Sequence, residues 1–259
     1  MMQQGIIESI LDEYSLISLT EMDTVRLMNR VDTKYTTTLS MLPDFLKCLQ
    51  ADYLVQDIHG SRLNAYRTLY LDTDDRAMYL AHHNGHRTRE KIRVRTYLDS
   101  QSTYLEVKNK NNKGRTKKKR FELPEIRAYK QQEATIFLER YAKYPPYMLL
   151  PRLESRFHRI TLVNSMKTER LTIDLNLTFY NPSDGTEKRM DDLVIVELKQ
   201  QGHQPSLAKD ALSDLHIRPI AISKYCLGTI LTVPDVKSNL LKEKIIQINK
   251  IRTKQYGLV

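Results

Sequence analysis

The chain has 259 residues, 41% hydrophobic and 28% charged, with a formal net charge of +10 and a pI near 9.4. That is ordinary for a soluble globular protein with a sizeable core, and the charge predicts anionic partners: nucleic acid, an anionic membrane surface, or phosphorylated small molecules and polymers. Two cysteines exclude a disulfide framework or a cysteine metal cluster, and no apolar run approaches the ~20 residues of a membrane span.

Gly5 to Tyr14 reads as a short amphipathic helix, with Ile6, Ile7, Ile10, Leu11 and Tyr14 at helical spacing. Asn29 to Thr37 is expected as a strand rich in Thr, Val and Tyr. Thr38 or Ser40 is placed to cap a helix reaching Gln50, with Leu42, Phe45, Leu46 and Leu49 on its buried face. Ala65 to Asp72 reads as a strand, and Asp74 to His83 as a short helix stopped near Asn84-Gly85. Arg87 to Glu122 holds three strands, the last two separated by a polar turn from Asn111 to Gly114. Gln131 to Tyr141 is helical and ends before Pro145-Pro146. Leu149 to Val163 and Arg170 to Tyr180 are strands, and a loop follows at Asn181 to Gly185. Leu193 to Gln200 is a strongly apolar strand, and Ser206 to Leu215, Ile222 to Leu231 and Lys237 to Lys250 are helices. Cys48 and Cys226 fall in helices and read as core residues in a reducing compartment. Met1 to Glu8 lacks a secretory signal's basic and apolar regions, so a cytoplasmic location is expected.

About eight strands with helices between them predict an α+β fold around an antiparallel sheet or closed barrel. One domain over residues 1–259 is expected: a core from about 25 to 232, an N-terminal helical region at 1–24 and a C-terminal helix at 233–259.

The charge is concentrated. Residues 87–120 hold thirteen Lys or Arg and only three acids, Glu90, Asp99 and Glu106. Successive side chains of a strand point to opposite faces. Arg89, Lys91, Arg93 and Arg95 therefore form one row, Glu106, Lys108 and Lys110 a second, and Lys118 and Arg120 a third. Solvated faces normally mix both signs, because like charges opposite one another across strands repel. A face this one-sided is built for a polyanion. Charges also recur in the middle of other strands: Arg30, Asp32 and Lys34; Arg170 and Asp174; Glu197 and Lys199. Lone charges among apolar neighbours are costly unless paired. If all these faces point into one barrel, cations line the lumen beside a few carboxylates. Phosphate chains require that combination, with Arg and Lys on the oxygens and a carboxylate holding a bridging divalent metal.

Eight stretches in order carry a resemblance: Arg30 to Tyr35, Lys91 to Tyr97, Glu106 to Lys108, Lys118 to Phe121, Phe157 to Thr161, Arg170 to Asp174, Val196 to Lys199, and Ser223 to Tyr225. Together they resemble the VTC domain, the polyphosphate polymerase domain of the vacuolar transporter chaperone complex, within the CYTH-like triphosphate tunnel metalloenzymes. The resemblance covers roughly residues 25–232. It implies an antiparallel tunnel barrel binding triphosphate, with helices inserted between the strands and packed outside. It implies that Lys34, Arg93, Arg95, Lys108, Arg159, Arg170 and Lys224 form the catalytic phosphate-contacting set. Lys118 is a further implied phosphate ligand, and Arg30, Lys91, Arg120 and Lys199 join it on the same strand faces. Arg156 competes with Arg159, because the register of that strand is open from sequence. Glu197 is implied as the ligand of Mn²⁺ or Mg²⁺. One departure stands out: the wider superfamily opens with Glu-x-Glu-x-Lys, whereas this chain has Arg30-Val-Asp32-Thr-Lys34. A cation in place of the first carboxylate fits the polymerase branch better than a hydrolase.

The expected activity is therefore metal-dependent transfer of the ATP γ-phosphate to a growing inorganic polyphosphate chain. The alternatives are a tripolyphosphatase or nucleoside triphosphatase of the same fold, or a non-catalytic polyphosphate-binding module. The expected partners are ATP and polyphosphate, not nucleic acid, and translocation of product would require a separate membrane protein with this chain peripheral to it. No P-loop pattern is present. His82, His83 and His86 read as hydrogen-bonding residues rather than a metal cluster, and Lys117 to Arg120 as tunnel wall rather than a localisation signal. The basic amphipathic terminal helix is expected to plug or cap one tunnel end, to dock on a membrane partner, or simply to pack against the domain.

Overall fold

The computed structural model describes residues 2–24, 30–113, 115–202 and 204–255. The expected strand start at Asn29, Gly114 of the expected turn, and the tail from 256 lie outside them. In chain order the elements are α1 (Met2–Asp12), β1 (Ser15–Ser18), α2 (Leu19–Thr24), β2 (Arg30–Thr38), α3 (Leu42–Leu49), β3 (Tyr53–Asp57), β4 (Asn64–Asp72), α4 (Ala77–His83), β5 (Arg89–Tyr97), β6 (Ser102–Lys110), β7 (Thr116–Leu123), α5 (Gln132–Tyr141), β8 (Leu150–Asn164), β9 (Glu169–Tyr180), β10 (Glu187–Met190), β11 (Leu193–Gln201), α6 (Leu207–Asp214), α7 (Lys224–Thr232) and α8 (Lys242–Gln255).

All strands join one sheet in the order β2-β11-β9-β8-β4-β5-β6-β7, with β10 beside β9, and β3 beside β8 carrying β1. Every pairing is antiparallel except β1 with β3. The expected closed barrel is not formed: among the described residues no ladder joins β7 to β2. The outer edge of β2 is taken instead by residues 217–220, where Ile220 N–H donates to the Lys34 carbonyl at 3.0 Å and Pro219 bridges Tyr35. Proline lacks an N–H and cannot propagate a ladder. The other edge, β7, is an exposed run of cations, and cationic edge strands resist further pairing.

Alternation divides each strand between two faces. Leu171, Ile173, Val194, Val196 and Leu198 pack under α1, α3 and α6. Ile92, Val94, Leu105 and Val107 pack under α5. The opposite face is cationic over much of its area, and its apolar part is plugged by α7 and α8 against Tyr66, Tyr70, Leu153, Phe157 and Phe179. Gly228 allows this approach: a Cβ there would lie 2.5 Å from Phe179 and 2.6 Å from Leu153.

Several local expectations shift. The α4 helix begins at Ala77 rather than Asp74, because the buried Asp72 carboxylate accepts from the Met78 and Tyr79 N–H groups, both at 2.9 Å. Neither Thr38 nor Ser40 caps α3; their hydroxyls bond each other at 2.9 Å, and a 3-10 turn at Leu39–Met41 precedes the helix. The last helix starts at Lys242 after a 3-10 turn at Asn239–Leu241, five residues later than expected. Cys226 is buried, but Cys48 is exposed because it lies off the α3 stripe of Leu42, Phe45, Leu46 and Leu49. Among the described residues no helix is long and apolar enough to cross a membrane.

Candidate functional site

The charged face is assembled by strand parity. Register sets Lys34 opposite Glu197, and Lys199 opposite both Asp32 and Arg170. Across the other half, Lys91 pairs with Lys108 and Lys108 with Lys118, while Arg93 pairs with Glu106 and Glu106 with Arg120. Two cavities open onto this face. The first, about 400 Å³, is lined by Asp32, Lys34, His82, Arg89, Lys91, Lys108, Lys110 and the residues just before α7. The second, about 460 Å³, is lined by Arg95, Lys118, Arg120, Arg159, Arg170 and Lys199, with Tyr66, Tyr97 and Tyr104 beside them and α2 at its edge.

Two buried carboxylates organise the cations between the cavities. Glu106 lies 2.6 Å from the Arg93 guanidinium and also pairs with Lys118. Asp174 takes two bonds from Arg159, at 2.6 and 2.8 Å, and one from Lys224. Burial alone would raise both carboxyls. The cations prevail, holding Glu106 at about 2 through Arg93, Arg95 and Lys118 and Asp174 well below the carboxylate range through Arg159 and Lys224. Aromatic rings complete the packing. The Arg159 guanidinium sits 5.0 Å from the Tyr66 ring centre, Arg95 5.5 Å from the same ring, and Lys224 4.4 Å from that of Phe157. These are cation–π distances. Arg95 also donates to Thr68 Oγ1 at 3.1 Å.

Glu197 differs from these acids. Its nearest cationic partner, Lys199, is 3.3 Å away, and 23% of its side chain is exposed, against 2% for Glu106 and 4% for Asp174. Burial opposes its ionisation, but Lys34, Lys199 and Arg159 hold the carboxyl well below the usual range. The lysines show the reciprocal effect. Burial, reinforced by Lys34, Arg93 and Lys108, lowers Lys91 to about 7. Burial and Arg159 lower Lys199 and Lys224 to about 8 against the pull of Glu197 and Asp174. His82 is lowered to about 2 by burial and the neighbouring cations, so its ring is neutral.

Thirteen of the fourteen residues singled out in sequence share this face: Arg30, Lys34, Lys91, Arg93, Arg95, Lys108, Lys118, Arg120, Arg159, Arg170, Glu197 and Lys199 from strands, and Lys224 from α7. Arg30 is half-exposed at the rim, bonded to Asp32 at 2.5 and 3.0 Å. Arg156 is not brought into the group. Three residues from Arg159 on one strand, it falls on the opposite face, bonded to Glu154 at 2.8 Å with Glu187 beyond. In the basic run of β7, Lys118 and Arg120 face the site, while Lys119 lies over the Tyr141 ring outside. His83 takes a structural role, with its Nδ1 against Asn84 and its Nε2 accepting from Leu240 N–H at 3.2 Å.

Sequence reasoning did not assign roles to Asp174, Ser223, Tyr66 or Phe157. Asp174 shares the parity of Arg170, which was a usable signal. Ser223 holds the Lys91 ammonium at 2.7 Å across 132 residues of sequence, which nothing local announces.

The donor set bears on a metal. Among the described residues no three His, Cys, Asp or Glu side chains converge as a preformed cage. Magnesium-type ions, however, are commonly held by one or two carboxylates, with phosphate oxygens and water completing the shell. Glu197, partly open and loosely paired, fits that mode; Glu106 and Asp174 are engaged by cations.

The sequence model of the VTC domain family matches residues 29–233, and the chain belongs to that family. No curated protein matches it. Among solved structures, a Hippeastrum protein described as a candidate adenylyl cyclase with a dominant triphosphatase activity is 12% identical, covering 79% of this chain and 98% of its own, with a TM-score of 0.48. Candidate adenylate cyclases of Bacillus halodurans (14% identical, 76% and 96% covered, TM-score 0.46) and Vibrio parahaemolyticus (12%, 78% and 99%, 0.45) are comparably similar. Family membership stands on the sequence model alone.

Proposed function

We propose that the protein is a polyphosphate polymerase, transferring the terminal phosphate of ATP to an inorganic polyphosphate chain bound along the cationic face. The observation that carries this reading is one loosely paired carboxylate, Glu197, set among cations already fixed by Glu106 and Asp174. In family terms the cationic face of the sheet takes the place of the tunnel lumen. A bound Mg²⁺ or Mn²⁺, held by Glu197 and phosphate oxygens, would neutralise charge on the reacting phosphates.

The residues do the rest. Arg93, Arg95, Arg159 and Arg170 grip phosphate oxygens in bidentate fashion, and Lys34, Lys108 and Lys224 act as point charges. A terminal oxygen of the polyphosphate chain attacks the γ-phosphorus. The bond from that phosphorus to the β,γ-bridging oxygen breaks, ADP leaves with the electron pair, and the chain is longer by one phosphate. The attacking oxygen is already ionised at neutral pH, so no strong general base is required. Catalysis then rests on in-line positioning and on stabilising charge over the transferring group.

The test is incubation with ATP and Mn²⁺, with products resolved by gel electrophoresis, beside Glu197→Gln. Long chains lost in the variant support the polymerase. Orthophosphate without chains moves the assignment to a triphosphatase, and polyphosphate binding without turnover to a binding module.

A further inference from the structure

The lysines of the cationic face are not alike. Lys118 is paired with Glu106, Lys199 with Glu197 and Lys224 with Asp174. Lys91 makes no ion pair among the described residues; its amine is held by one bond, to Ser223 Oγ at 2.7 Å. The acids of its cavity are engaged elsewhere, Asp32 by Arg30 at 3.0 Å and Glu90 by the Lys143 N–H at 3.1 Å. Lys91 is half-buried and opens onto the first cavity, about 400 Å³, where Arg89 and Lys110 complete a cationic wall with Lys34 and Lys108. Burial disfavours its ammonium form, Lys34, Arg93 and Lys108 add to the effect, and the pull of Cys226 from α7 does not offset them. His82, at the same cavity, is neutral. Desolvation and neighbouring cations are what turn a lysine into an amine nucleophile.

We propose that Lys91 is a nucleophilic lysine, and that small acyl phosphates held in the first cavity acylate it. The cavity's cations serve such a reagent twice: they bind its phosphate, and they stabilise the charge that moves onto that phosphate as it leaves. The Lys91 nitrogen attacks the carbonyl carbon. A C–N bond forms, the bond from that carbon to the bridging oxygen breaks, and the phosphate departs with the electron pair. The nitrogen's surplus proton passes to the phosphate, so amine and acyl phosphate become amide and hydrogen phosphate. A single phosphate group shares its charge among Lys34, Lys108 and Arg89, so part of the amine stays free for attack. The amide carries no charge and fills part of the cavity, so modification closes it to phosphate chains. Nothing in this requires polymerase activity; a cavity that takes one phosphate group suffices.

The test is incubation of the full chain with acetyl phosphate, with and without saturating tripolyphosphate, each lysine being followed by peptide mass spectrometry. At about pH 7.5 an amine titrating at about 7 is mostly free base, whereas an ordinary lysine is free to about 0.1%. Lys91 is therefore expected to react at least about tenfold faster than the exposed Lys188, and to lose that lead under tripolyphosphate. Its rate should saturate with acetyl phosphate while that of Lys188 rises linearly, and should level off above about pH 8 while that of Lys188 keeps climbing. The acetylated protein should bind tripolyphosphate about tenfold more weakly, the size of one lost charged contact. Lys91 reacting no faster than Lys188, a rate linear in acetyl phosphate, or no protection by tripolyphosphate would overturn the assignment. Unchanged tripolyphosphate affinity after acetylation would refute closure of the cavity.

Discussion

Asp174→Asn tests whether the buried carboxylates hold the cations in place. Asp174 is 4% exposed and satisfies two cations, Arg159 at 15% and Lys224 at 12% exposure. Asparagine preserves the shape but removes the charge: its one oxygen can sit where Oδ2 accepts from both Arg159 and Lys224, but the amide NH2 then faces the Arg159 Nε–H that Oδ1 had accepted. Removing one partner of a buried ion pair leaves an uncompensated charge and costs about 3–5 kcal/mol. Urea unfolding at pH 7 should show that loss as a lower midpoint with an unchanged slope. Saturating polyphosphate should restore much of it, because phosphate oxygens replace the lost carboxylate for both cations. The acid limb gives a second readout. The Asp174 carboxyl is depressed in the fold, so its stabilisation is complete above the free carboxylate value near 4 and is lost as pH falls through the depressed one. The gap between wild type and variant should therefore narrow below about pH 4. A loss under about 1 kcal/mol at pH 7, the size of an exposed pair, would refute the reasoning.

Gly228→Ala should destabilise by about 1–3 kcal/mol in the same assay, since its Cβ would overlap the fully buried Phe179 and Leu153; a neutral result would mean that α7 does not pack into the sheet as described. Lys91, at about 7, and Lys199 and Lys224, at about 8, lie below the free lysine value near 10.4. Between these values the unfolded chain binds more protons, so the three lysines make the free protein more stable as pH rises. Anions favour the charged forms, so tripolyphosphate binding should take up protons and weaken from about pH 6.5 to 9. Calorimetry at pH 8 in buffers of differing ionisation enthalpy reads the uptake directly, and identical heats would contradict it.

The cationic face was legible because strands repeat every two residues. Arg89, Lys91, Arg93 and Arg95 occupy one parity of β5, and their intervening Ile92 and Val94 are buried on the other. Arg159 and Arg156 were separable by the same arithmetic, once one of them was fixed. Closure of the sheet was not legible. It depends on which backbone reaches the edge of β2, and residues 217–220 arrive from almost two hundred residues away. The short β1, β3 and β10 escaped notice because a few residues cannot display a periodicity. The division into two cavities also lay beyond the sequence, since α2 and the approach to α7 come to the face from opposite ends of the chain.

On the proposed reading, the acids on this face make it a binding surface rather than merely a repulsive one. Glu106 and Asp174 each fix two cations in the middle, setting guanidinium and ammonium groups in place before any ligand arrives. Prepaid ordering of this kind favours transition-state stabilisation over simple attraction. Toward the first cavity the balance reverses: Lys34 and Lys108 both lower the proton affinity of Lys91, and Lys34 lowers that of Lys108. Glu197 offsets part of that repulsion, and a bound anion would relieve the rest. On the proposed polymerase reading, the central cations would be held for chemistry, and the crowded ones held open for a ligand that carries charge at every repeat, as a phosphate chain does.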